Sequence, residues 1–200
     1  MDESVLKGMA KWPNVPSVYG WLSLDRRGNW LIKGERIGNP GVIEFIARNY
    51  EADERGRWFF QNGPQRVFVT LAYAPFVLRT IGGAGQLLLQ THTGHQIEHF
   101  SGVWLDEEGT LVLRWAGGVG TVSDRDLDEV AGLFCDARGK PLPEEELAKA
   151  LDPESARRRA GFWFNYRKEP VPVGRIRSTQ LAQKFGFDPD PRPVPGEPEC

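Results

Sequence analysis

The chain has 200 residues, 40% of them hydrophobic, with 7 Trp and 11 Phe, which suits one compact domain or two small ones sharing a core. A formal net charge of -2 lacks the strong positive excess that nucleic acid or an anionic membrane selects. Cys135 and Cys200 imply no disulfide framework, the N-terminus has no apolar signal-peptide core, and no apolar run is long enough to span a membrane, so a cytoplasmic protein is expected.

Residues 1–17 read as a polar lead with a short helix from Glu3 to Met9, ended by Pro13 and Pro16. Two strands follow, VYGWLSL and NWLI, joined by a hairpin turn at Asp25–Gly28. Asn39 is then a helix N-cap with Pro40 in the first turn, and Val42, Ile43, Ile46, Ala47 and Tyr50 form the apolar stripe. After a turn at Asp53–Gly56 come the strands RWFFQ and RVFVTLAY around Asn62-Gly63-Pro64, a break at Ala74-Pro75-Phe76, and a short extended PFVLR.

GQLLLQTHTGHQIEHF reads as a hairpin turning near Thr93-Gly94, and VWLDEEGTLVLRW as another. Ser123 or Asp124 caps a helix with the stripe Leu127, Val130, Ala131 and Phe134, followed by a turn at Asp136–Gly139. EEELAKALD is a short acidic helix, the basic run 157–159 precedes the strand FWFNY, and the proline-rich residues 188–200 read as a loosely ordered tail.

These elements recur. Asp25 and Gly28 match Asp106 and Gly109, the two helical stripes match, and Asp53 and Gly56 match Asp136 and Gly139, always in the same order. The expected organisation is a lead (1–17), module one (18–80), module two (81–142), a C-terminal extension (143–187) and the tail (188–200). The expected fold is α+β with mostly antiparallel strands, two related hairpin-plus-helix modules packing as one unit and the extension wrapping back on them.

The segment LSLDRRGNWLIKGERIGNPGVIEFIARNYEADERGRWFF and the later YAPFVLR resemble an uncharacterised proteobacterial family of unknown function. The resemblance rests on Gly28, Trp30, Gly34, Ile37, Asp53, Gly56, Trp58 and Ala74-Pro75-Phe76, and covers about residues 20–135. It implies a bacterial protein with a tandem repeat of a strand-rich unit and a role in signalling or regulation, without an established activity. Gln65 stands where the family pattern has a glutamate, so a role for that carboxylate has no counterpart here.

The candidate chemistry is sparse. His92, His95 and His99, with Glu98, share one window and form the candidate metal set. On a single extended strand His95 and His99 stand about 13 Å apart, too far for one zinc, so only a cross-strand pair such as His92 with His95 could share an ion. Gly118-Val119-Gly120 follows a strand and opens a helix, but Ser123 replaces the third glycine of a dinucleotide fingerprint, and Asp124 and Asp126 oppose a pyrophosphate; a glycine bend with a helix N-cap explains it. Gly82–Gly85 reads as a flexible connection, and Cys135 as a structural thiol. Arg157, Arg159, Trp163 and Tyr166 are the candidate ligand-binding residues, a basic run interleaved with aromatics; the bland version is a charged helix face and a core-capping strand.

No cofactor is implied. The sequence favours a non-catalytic regulatory protein that binds a protein or small molecule through an inter-module groove or an exposed sheet edge, without nucleic acid or membrane as partner. A metal-dependent hydrolase using the histidine window and a self-associating assembly or scaffold protein are the alternatives.

Overall fold

The computed structural model describes residues 1–12, 15–82, 87–151 and 161–194. The fold is α+β, and its residues divide into two compact units. Unit one holds Met1–Pro75, His92–Gly94 and the chain from Ala182 on; unit two holds Phe76–Thr91 and His95–Leu181.

Unit one carries α1 (Glu3–Lys11), β1 (Val18–Leu24), β2 (Trp30–Ile32), β3 (Glu35–Arg36), α2 (Pro40–Arg48), β4 (Tyr50–Ala52), β5 (Trp58–Asn62) and β6 (Gln65–Leu71). Its sheet has the order β3-β2-β1-β6-β5-β4. The first strand lies parallel to the last, with Leu22 opposite Val69, and the other pairs are antiparallel. Period-two alternation sends Leu22, Leu24, Val69, Leu71 and Trp30 inward, where all are buried. α2 begins as its sequence demands: the Asn39 carboxamide oxygen accepts from the amides of Gly41 and Val42, with Pro40 in the first turn. The expected stripe is corrected at two places. Val42 faces solvent while Phe45, outside the stripe, meets Phe60 edge-on at 5.3 Å, and Tyr50 has left the helix for β4.

Unit two carries β7 (Phe76–Ile81), β8 (Leu88–Thr91), β9 (Gln96–Ile97), β10 (Gly102–Leu105), β11 (Leu111–Trp115), β12 (Gly118–Val122), α3 (Leu127–Ala131), β13 (Phe134–Cys135), α4 (Glu144–Leu151), β14 (Trp163–Tyr166) and β15 (Glu169–Arg175). Its sheet has the order β13-β14-β15-β10-β11-β12-β7-β8-β9. Here too β10 and β15 are parallel, with Val103 opposite Val173, and β7 adds parallel to β12. Both sheets are therefore mixed, mainly antiparallel with parallel central pairs. The last helix is α5 (Leu181–Phe185).

The four D-x-x-G turns share one hydrogen-bond set. In each, an aspartate Oδ1 accepts from the amides two and four residues on, and its backbone carbonyl accepts from the glycine N–H. Gly28, Gly56, Gly109 and Gly139 stand at φ 79°, 75°, 80° and 78°, left-handed values that glycine adopts without strain.

Gly118–Val122 is a strand, not the glycine bend expected from sequence. A Cβ on Gly120 would lie 2.7 Å from the Phe76 carbonyl, so its glycine serves the close approach of β12 to β7. The expected loose tail is also pinned in part: the Asp188 N–H donates to Gly56 and the Leu71 N–H to the Pro189 carbonyl. Residues 195–200 of that tail lie outside the described residues.

Candidate functional site

The histidine window forms the expected hairpin, β8 to β9, with Gly94 at φ 92° in the turn. Its side chains take separate roles. His92 belongs to unit one, its ring 5.1 Å from Trp30 and 5.8 Å from Tyr50. Tyr50 donates its hydroxyl to the Pro75 carbonyl at 3.0 Å, and burial pushes the phenol well above its ordinary pKa. His95 is exposed, with its backbone closing the hairpin to Thr91. His99 Nδ1 meets Glu169 Oε2 at 2.7 Å on the surface, and Glu98 faces Arg167 at 3.9 Å. Among the described residues no group of three His, Cys, Asp or Glu side chains is placed to hold a metal ion.

Of the candidate ligand residues, Arg157 and Arg159 lie outside the described residues. Trp163 is half-buried on β14, opposite Cys135 and Pro172. Tyr166 is buried, and its hydroxyl is committed to the protein itself: it accepts from the Leu89 N–H at 2.9 Å and donates to the Ile97 carbonyl at 2.8 Å. Burial raises its pKa. Cys135 is a buried thiol, its pKa raised by burial and then by neighbouring Asp136. The carboxylates singled out by the turn motifs bind backbone amides, and the well-buried Asp53 also holds Arg57 at 2.7 Å.

The surface that sequence reading missed lies on β1–β3. Gly20, at φ 71°, sits in a register shift between Val18 and Leu22. Trp21 follows on the face opposite the buried Leu22 and is 53% exposed. Lys33 extends its Nζ to 3.8 Å from the indole centroid, and its backbone N–H donates to the Trp21 carbonyl at 2.8 Å. The register places Ser23, Leu31 and Arg36 in the next row of the same face, with Leu22, Ile32 and Glu35 on the other. A Gly-Trp inside an otherwise alternating strand was the available signal.

A family model, DUF2944, described as "Protein of unknown function (DUF2946)", matches residues 1–192. The chain belongs to this family. The DUF2944 match runs through β14 and β15, beyond the stretch in which a family pattern is recognisable by eye. In three dimensions this DUF2944 chain is similar to a DUF1285 family protein from Silicibacter pomeroyi DSS-3, with TM-score 0.50, 14% identity, and 80% of this chain and 84% of that one covered. A DUF1285 family protein from Shewanella baltica OS155 gives TM-score 0.38 and 15% identity over 57% of this chain and 90% of that one. At such identities the first likeness is one of fold. No curated protein matches the chain. Among the described residues no helix is long and apolar enough to cross a membrane.

Proposed function

We propose that the chain is one strand-and-helix unit used twice, and that it works as a non-catalytic, regulatory binding protein through the outward face of β1–β3. The first copy runs from β1 to β6 and the second from β10 to β15, with α4 in an insertion of the second. Matching strand orders support the duplication, as do the parallel first-to-last pairs and the four equivalent aspartate turns. Trp30 and Leu111 pair with Leu24 and Leu105 at corresponding strand starts, and Ile46 and Val130 are the buried residues of their helices.

The observation that carries the binding reading is an asymmetry between the copies. β10, β11 and β12 are buried at nearly every position, whereas β1–β3 alternate or lie open, with Trp21 and Lys33 outward. An exposed indole next to a bulge and stacked with a cation is the composition of an interface anchor. The test is a photo-crosslinking phenylalanine analogue at position 23, beside Trp21 on the same face, in living cells, with the exposed position 55 as control. A defined protein crosslinked from position 23 and not from position 55 is the expected result; equal labelling from both positions, or none, refutes the reading.

A further inference from the structure

We propose that the β1–β3 face docks an acidic segment of a partner protein, a refinement that rests on the binding role of this face. Lys33 and Arg36 share one side of the sheet with Trp21 and Leu31. Glu35 lies in the Leu22–Ile32 row on the opposite side. Asp25, at the end of β1, is engaged: its carboxylate accepts from the amides of Arg27 and Asn29 and from the Asn29 carboxamide. Those bonds outweigh its burial and, with nearby Arg36, hold its pKa below the usual value. With Asp25 ionised beside Arg36, Lys33 and Arg36 still leave this side of β1–β3 with more positive than negative groups, on a chain whose overall charge is -2.

Lys33 is preorganised to use that charge. It occupies φ 50° and Gly34 φ 86°, the tight two-residue turn that joins β2 to β3. The turn fixes the stem, and the indole holds the ammonium over its ring. A carboxylate arriving at Lys33 and Arg36 brings its neighbouring side chains onto Trp21 and Leu31, so the fitting partner alternates acidic and apolar groups. Nucleic acid would need a long positive track, which the chain's charge does not supply.

The experiment uses the full chain and a fluorescein-labelled peptide of repeated Asp-Glu-Phe, with a Lys-Lys-Phe repeat as control, read by fluorescence anisotropy. The acidic peptide should bind at about 50 mM salt and weaken at least roughly tenfold at about 500 mM. The K33E/R36E variant should lose roughly tenfold or more, and K33Q/R36Q an intermediate amount, with circular dichroism unchanged. Absence of acidic-peptide binding, equal binding of the lysine peptide, or indifference to both double variants overturns the proposal. Crosslinking from position 23 that survives K33E/R36E would leave the binding role standing and remove the acidic partner. Peptide binding indifferent to W21A would remove the indole's part instead.

Discussion

Replacing Tyr166 by Phe deletes one oxygen from the interior of unit two and keeps the ring. That oxygen joins three strands, since the Leu89 N–H donates to it and it donates to the Ile97 carbonyl. Leu89 is 0% and Ile97 4% exposed, so water cannot replace the lost partner without opening the sheet. Each orphaned buried group costs about 1–3 kcal/mol, and the ring contact with Phe100 at 5.0 Å is retained, so no cavity adds to the loss. The expected destabilisation is about 2–4 kcal/mol, a drop of roughly 5–12 °C in Tm for a chain of this size. Urea unfolding followed by tryptophan fluorescence measures it, and hydrogen exchange of the Leu89 amide localises it. A loss below about 0.5 kcal/mol with unchanged Leu89 exchange would refute the bridging role.

The equivalent glycines should not respond alike. G109A meets only the left-handed backbone penalty of about 1–2 kcal/mol, whereas a Cβ on Gly56 would also collide with the Gly186 carbonyl at 2.1 Å; equal losses in denaturation would contradict the packing. D53A removes a carboxylate that holds the Arg57 guanidinium and two backbone amides and should cost about 1–3 kcal/mol, measured by urea unfolding. The raised phenol pKa values of Tyr50 and Tyr166 favour the neutral native form, so their contribution is complete below about pH 10 and is lost as pH rises toward the folded-state values. Of 4 tyrosines these two should ionise only with unfolding, as tyrosinate absorbance would report. Cys135 should resist iodoacetamide in the native protein and react once unfolded.

Local signals carried much of the fold. The alternation of VYGWLSL predicts β1 at its observed bounds, and Asn39-Pro40 predicts the start of α2, because both are decided by neighbouring residues. β15 has no counterpart among the elements expected from sequence, and it carries Pro170 and Pro172. In the sheet they oppose Asn165 and Trp163 of β14, at positions alternating with those whose N–H bonds that strand. Their missing N–H groups point to the other side, where β10 pairs only from Val173 onward. The parallel pairs escaped sequence reading because no turn links their strands. The candidate site escaped for a different reason: alternation with the buried Leu22 and Leu24 puts Trp21 outward, but a large aromatic side chain in a strand is ordinarily taken for core. The histidine window, conversely, reads as a hairpin and forms one, yet its imidazoles are distributed among aromatic packing, solvent and a surface carboxylate.

The parallel closure of each sheet sets the order in which a nascent chain can fold. β1 must wait for β6, and β10 for the still more distant β15, before either central ladder forms. Until synthesis passes Arg175, β10 presents an unsatisfied apolar edge, so chains ending before Trp163 are the ones that should aggregate rather than linger as a soluble half.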